Sequence, residues 1–195
     1  MSKQSRATRF IVYTGLLSAI ATILYFLEFP IIPGAAYLTI DLGDIPAAAA
    51  GVLLGPAAAA AVELVKVIIH VLLKGFGTTM GFGDLINFIV GVALTVSFSA
   101  VMRAFLKKKR DIKLSVLFAG IAGLAAMTAA GVVGNYLIAP PYFQFVLHFK
   151  LTGAALWTAI GSATILNVIK SLLLPVIALP LMAAFKNRLD FDKFR

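Results

Sequence analysis

Long apolar segments, separated by short groups of basic residues, are the feature that most constrains the fold of this chain. Hydrophobic residues make up 61% of its 195 residues and charged residues only 13%, with a net charge of +9. A soluble domain is about one quarter charged. An apolar segment of about 20 residues crosses the hydrocarbon core of a bilayer as a helix, which satisfies its own backbone hydrogen bonds. The sequence therefore predicts an all-α, polytopic membrane protein.

The basic residues lie in three groups, which contain 13 of the 17 lysines and arginines. The groups are Lys3, Arg6 and Arg9; then Arg103, Lys107, Lys108, Lys109, Arg110 and Lys113; then Lys186, Arg188, Lys193 and Arg195. Basic residues flanking membrane helices are retained on the cytoplasmic side. The basic charge is therefore interpreted as an orientation signal, and nucleic-acid binding is not predicted.

Six spans place all three basic groups in the cytoplasm. The predicted spans form a single domain over residues 1–195 and cover about 10–29, 45–54, 56–74, 83–105, 114–138 and 153–184. Segment 45–74 is divided at Gly55-Pro56, because one continuous kinked helix would leave five spans and place the second basic group outside. The fifth span is expected to end before Pro140-Pro141. The first run is interpreted as a retained span, so both termini are predicted to be cytoplasmic.

The first external loop, residues 30–44, is unusually apolar for a segment that faces water. We interpret it as a plug that folds back over the bundle and presents Tyr37, Leu38 and Thr39 to a pocket below. The alternative is partial insertion of the loop beside lipid.

Lys170 is the most informative single residue, because it lies in the last apolar run with Asn167 one helical turn before it. A lysine at the centre of a membrane helix costs roughly 2.5–3.5 kcal/mol on insertion scales and marks a candidate functional site. Together with Asn135, these side chains suit a neutral solute rich in hydroxyl and carbonyl groups, in a pocket that opens outward. The alternatives are that each asparagine bonds a neighbouring helix, and that Lys170 pairs with a buried carboxylate such as Glu63 or Asp84.

Two further polar groups lie on helical faces. Glu63, Lys66 and His70 share one face of the third span, and Asp84 and Asn87 stand one turn apart at the start of the fourth. Glu63 and Lys66 either neutralise each other or support a polar ligand, and the spacing leaves both open.

Enzymatic functions receive little support from the sequence. The phosphate-binding pattern GxxxxGK[ST] does not occur, so the chain lacks ATPase machinery. There is no cysteine and there are only two histidines, which gives no convincing metal site. An intramembrane enzyme using Glu63, Lys66, His70 or Ser162 is a remote alternative, because Gly161-Ser162-Ala163 lacks the closing glycine of a serine-protease turn.

Five segments in this order carry a resemblance to a known family. They are Leu38-Thr-Ile-Asp-Leu-Gly-Asp-Ile-Pro46, Gly55-Pro56, Val62-Glu-Leu-Val-Lys66, Gly83-Asp-Leu-Ile-Asn-Phe88 and Asn167-Val-Ile-Lys170. The chain resembles, over nearly its whole length, the riboflavin-specific substrate-binding (S) components of energy-coupling factor (ECF) transporters. The resemblance implies six helices in a bacterial or archaeal cell membrane, cytoplasmic termini and a vitamin pocket near the outer face, capped by the first external loop. An S component for another vitamin or small metabolite is the close alternative.

The resemblance also implies roles for individual residues. Asn135, Asn167 and Lys170 would hydrogen-bond the flavin and its ribityl chain, and the segment from Tyr37 to Thr39 would close over it. Further matches to motif positions of the family, as candidate substrate-binding residues, are Glu63, Lys66, Thr79, Asp84 and Asn87.

The implied partners are riboflavin, as transported ligand and not as cofactor, a transmembrane coupling (T) subunit, two ABC-type ATPases and the lipid bilayer. Gly15 and Ala19 stand at the small-residue motif of the first span. Glycine replaces the alanine usual at the first position of that motif. The pair would form the docking surface for the T subunit.

Overall fold

The computed structural model describes residues 3–30, 39–76 and 79–185, and within them the chain forms six helices and a short two-stranded sheet. The elements are α1 (Lys3–Phe26), β1 (Phe29–Pro30), β2 (Thr39–Ile40), α2 (Asp44–Leu54), α3 (Pro56–Lys74), α4 (Phe82–Lys107), α5 (Ile112–Phe145) and α6 (Gly153–Phe185). The predicted all-α membrane fold is confirmed.

Five of these helices are long and apolar enough to cross a membrane, and α2 is not. With 11 residues, α2 covers the segment 45–54 that the sequence predicted as a short span. At 1.5 Å per residue it extends roughly 16 Å, about half the thickness of the hydrocarbon core. It therefore cannot cross the core on its own.

The chain reverses direction between α2 and α3 at Gly55, as predicted. Gly55 has φ +119°, a backbone conformation that glycine adopts at little cost. Asp44 and Lys66, which are equally distant from Gly55 along the chain, meet at 2.7 Å. The two helices thus run antiparallel as a helical hairpin, and this arrangement brings the two ionised side chains together.

The hydrophobic core lies between the hairpin and α4, α5 and α6. Its most buried members include Val52, Leu94, Phe98, Met127 and Leu174. At the closed end of the hairpin, the guanidinium of Arg103 donates to the carbonyl oxygens of Val52 and Leu53 at 2.7 and 3.1 Å. These carbonyls belong to the last turn of α2, where no further helical N–H reaches them. Arg103 therefore fixes the end of α2 to α4.

The prediction that the fifth helix ends before Pro140-Pro141 is wrong. Helix α5 contains both prolines and continues to Phe145. Proline removes backbone N–H donors and disfavours helix at the preceding residue, but here the final turns are held by tertiary contacts. The ring of Tyr142 packs against Phe82 of α4 with centroids 5.8 Å apart.

The sequence did not predict the two strands, which pair antiparallel with Phe29 opposite Ile40 and Pro30 opposite Thr39. This pairing brings the chain back to the end of α1 before α2 begins. Tyr37 and Leu38, the predicted centre of the plug, lie outside the described residues, so the plug stays a prediction.

Candidate functional site

A cavity of about 290 Å³ lies at the end of the bundle opposite the turn between α4 and α5. Its polar lining consists of Glu28, Thr39, His70, Lys74, Thr79, Asp84, Asn87, Asn135, Asn167 and Lys170. Its aromatic lining consists of Tyr25, Phe76, Phe82, Tyr142 and Phe143. These residues come from the ends of α1, α3, α4 and α5, from β2 and the turns after α1 and α3, and from the middle of α6. Small-molecule sites in proteins start near 300 Å³ and combine aromatic walls with a few polar groups, as here.

Seven of the residues predicted to bind substrate line this cavity. They are Thr39, Thr79, Asp84, Asn87, Asn135, Asn167 and Lys170. Glu63 and Lys66 do not line it, because both side chains are fully buried below it. Gly15 and Ala19 lie together on the exposed face of α1, away from the cavity.

Asn167 lines the cavity, and its amide nitrogen is buried. The residue is 6% exposed, and its Nδ2 atom has no hydrogen-bond partner among the residues that the structure describes. Gly131 of α5 makes room for it, because a Cβ atom at that position would collide with Nδ2. Asn135, one turn further along α5, donates from its own Nδ2 to the carbonyl of Gly131 at 2.8 Å. A buried amide donor without a partner is costly, and the described residues supply no partner for this one.

Lys170 lies beside this amide and is held by two carboxylates. Its Nζ atom donates to Asp41 Oδ2 at 2.8 Å and lies 3.0 Å from Asp44 Oδ2. The alternative that Lys170 pairs with a buried carboxylate is thus confirmed. The two partners suggested for it, Glu63 and Asp84, are wrong. Asp41 lies between β2 and α2 and Asp44 is the first residue of α2, and this part of the chain approaches α6 only in the folded protein.

Lys66 continues this network away from the cavity. Its Nζ atom lies 2.7 Å from Asp44 Oδ1 and 2.6 Å from Glu63 Oε2, and all three side chains are buried. The amide oxygen of Asn87 lies 3.4 Å from the same Nζ atom. Glu63 and Lys66 thus form a buried ion pair, and neither side chain lines the cavity.

A second polar group lines the cavity. Asp84 accepts a hydrogen bond from the Tyr25 hydroxyl at 3.1 Å and lies 2.7 Å from Nδ1 of His70. Glu28 accepts from the Thr39 hydroxyl at 2.7 Å and forms an ion pair with Lys74. These contacts tie the end of α1 to β2, α3 and α4.

Three residues of the site, Tyr25, Glu28 and Asp41, were not predicted from the sequence. Glu28 and Asp41 are acids at the ends of apolar segments, a signal that could have been used because such positions are seldom occupied by chance. Tyr25 carried no signal of its own, since a tyrosine at a membrane interface is ordinary.

The chain was compared with known families and proteins. Residues 9–182 match the family model described as "ECF transporter, substrate-specific component". The riboflavin transporter FmnP of Bacillus subtilis (strain 168) is 33% identical over 170 residues, covering 86% of each chain. The riboflavin transporter RibU of Staphylococcus aureus (strain TCH60) is 30% identical over 174 residues, covering 89% of this chain and 88% of the relative.

A solved structure, that of the S component of a bacterial ECF transporter, has the same fold. It superposes with a TM-score of 0.76 at 24% identity, covering 94% of this chain and 99% of the other. These relatives are transporter components, so the intramembrane-enzyme alternative with Ser162 is not supported. The chain belongs to the family of substrate-specific components of ECF transporters.

Proposed function

We propose that this chain is a riboflavin-binding S component that takes up the vitamin across the cell membrane. Relatives named riboflavin transporters are about 30% identical over most of the chain, which supports riboflavin as the ligand. An S component for another vitamin or small metabolite is the second candidate, because the family model does not itself specify the solute.

The observation that carries the proposal is the unpartnered Asn167 amide beside Lys170 in an aromatic-lined cavity. The isoalloxazine ring of riboflavin is flat and apolar on its faces, and its pyrimidine edge carries two carbonyls flanking an N–H. An asparagine amide offers one donor and one acceptor, and a lysine offers donors only. Asn167 and Lys170 can therefore bond this edge, while Phe82 and Tyr142 contact the ring and Asn135 or Asn87 reaches the ribityl hydroxyls.

Energy for uptake comes, in this proposal, from separate proteins. The chain lacks a phosphate-binding loop, so a T subunit and two ABC-type ATPases would drive transport. Gly15 and Ala19 on the exposed face of α1 would allow close approach of a T-subunit helix.

The purified chain alone is expected to bind riboflavin and not to hydrolyse ATP. Riboflavin fluorescence should be quenched on titration with protein in detergent, because stacking on aromatic side chains quenches the excited flavin. Asp111→Asn serves as a matched control, since Asp111 caps α5 at the opposite end of the bundle and asparagine caps as well as aspartate.

A competition series tests the alternative ligand. Riboflavin should displace itself, while thiamine, biotin and folate at the same concentration should leave the quenching unchanged. Displacement by another vitamin with higher affinity than riboflavin would contradict the assignment. ATP hydrolysis by the isolated chain would contradict the proposal that separate ATPases supply the energy for uptake.

The orientation of the chain in the membrane is also a proposal, based on its basic residues. We expect single cysteines at Ser2→Cys, Lys108→Cys and Lys193→Cys to resist a membrane-impermeant thiol reagent in intact cells. Lys150→Cys, in the exposed α5–α6 turn, should be labelled and is the control. The chain contains no native cysteine, so only the introduced cysteine can react with the reagent. Labelling of Lys108→Cys from outside would overturn cytoplasmic placement of the α4–α5 turn.

A further inference from the structure

Five buried ionisable side chains form a continuous line of alternating charge beneath the cavity. The order is Asp41, Lys170, Asp44, Lys66 and Glu63, and successive side chains are separated by 2.8, 3.0, 2.7 and 2.6 Å. Only Lys170 reaches the cavity. The line therefore connects one residue of the candidate site to four that cannot touch a ligand there.

The geometry around Lys170 restricts where its ammonium can lie. A lysine side chain has four flexible bonds, and by itself it would sample many positions. Here Asp41 and Asp44 approach Nζ from two sides, and Lys66 occupies the other oxygen of Asp44. An ammonium has three N–H donors, so the hydrogen bond to Asp41 and the ion pair with Asp44 leave at least one donor for a ligand.

The carboxylates are themselves fixed in place. Asp41 Oδ1 accepts from the backbone N–H of Gly43 at 2.8 Å, which closes a tight turn between β2 and α2. A Cβ atom on Gly43 would lie 2.9 Å from both Asp41 Oδ1 and Cδ of Lys66. The glycine thus permits the close packing of this turn against the line of charges.

We propose that Asp41 and Asp44 are positioning residues, which hold the Lys170 ammonium at the cavity surface with one donor directed at the ligand. Lys66 and Glu63 act one step further away, by fixing Asp44. This inference deepens the proposed function and rests on it. It assigns Glu63 and Lys66, which the sequence placed in the substrate site, to support of that site.

The Asp41→Asn variant can test this proposal, because it leaves equal numbers of positive and negative charges in the buried line. The line holds three carboxylates and two ammonium groups, so Asp41→Asn leaves two of each in the buried region. Asparagine keeps the shape of the side chain and can still accept from Gly43. The variant is therefore expected to fold, and thermal unfolding of the purified protein verifies this.

Riboflavin affinity of Asp41→Asn is expected to fall about tenfold, the effect of 1.4 kcal/mol, while Asp111→Asn binds like the unmodified chain. A double-mutant cycle with Lys170→Met separates positioning from general structural damage. If Asp41 acts through Lys170, then Lys170→Met and the double variant Asp41→Asn/Lys170→Met bind riboflavin equally. Unchanged affinity of Asp41→Asn, or losses that add in the double variant, would overturn the proposal.

The visible absorption band of bound riboflavin supplies a second readout that does not depend on Lys170→Met folding. A charged donor at the ring carbonyl polarises the flavin transition, so displacement of Lys170 shifts the band. We expect a shift in Asp41→Asn and none in Asp111→Asn, and identical bands would count against positioning. If the unmodified chain fails to bind riboflavin at all, the proposed function itself is wrong, and that outcome is distinct from a normal affinity in Asp41→Asn.

Discussion

Replacement of Lys66 by methionine is expected to destabilise the protein strongly. The side chain of Lys66 is 0% exposed and lies between the carboxylates of Asp44 and Glu63. Removal of one partner from a buried ion pair leaves an uncompensated charge and costs about 3–5 kcal/mol. Thermal unfolding in detergent, followed by loss of the monodisperse species, should show a clearly lower transition temperature.

A second change should restore much of this loss. The variant Lys66→Met/Glu63→Gln removes one charge of each sign, so the buried line returns to the net charge of the unmodified chain. Lys113→Met is the matched control, because Lys113 is an exposed cation at the start of α5. If Lys66→Met were as stable as Lys113→Met, the buried network would contribute little to the fold.

Truncation of Asn167 to alanine is expected to weaken riboflavin binding without unfolding the protein. The Nδ2 atom has no hydrogen-bond partner among the described residues, so its removal breaks no hydrogen bond within that part of the chain. Loss of a ligand hydrogen bond, with its partner left unsatisfied, costs about 1–3 kcal/mol. Each 1.4 kcal/mol corresponds to a tenfold change, so the dissociation constant should rise by about ten- to a hundredfold in a fluorescence titration.

Lys170→Ala should lower affinity by a similar factor, since a charged donor contributes about 1.5–3 kcal/mol. It also breaks the pairs with Asp41 and Asp44, so a loss of stability should accompany it. Asn167→Ala is therefore the cleaner probe of ligand contact. Normal affinity in both folded variants would remove these residues from the site.

The helices were predictable because their signals are local. The division at Gly55-Pro56 followed from glycine and proline chemistry, and α3 begins and ends at the predicted residues. The end of α5 was not predictable in the same way. The last turns beyond Pro140-Pro141 persist because aromatic side chains pack against α4, and this tertiary contact overrides the local preference.

The same distinction applies to the site. Asn167 and Lys170 are three residues apart on α6, so their common face could be inferred from helical spacing alone. The partner of Lys170 could not, because Asp41 is 129 residues away in the sequence. The pairing of Glu63 with Lys66 followed from spacing, but its burial below the cavity depends on how the α2–α3 hairpin packs.

The visible spectrum of the protein purified from riboflavin-containing cells tests the proposed ligand most directly. The unmodified chain should carry the absorption bands of a flavin, and mass spectrometry of the released compound should identify riboflavin at about one molecule per chain. Asn167→Ala, purified in parallel, should retain much less. A colourless protein that also fails to take up added riboflavin, or one that releases a different vitamin, would contradict the account.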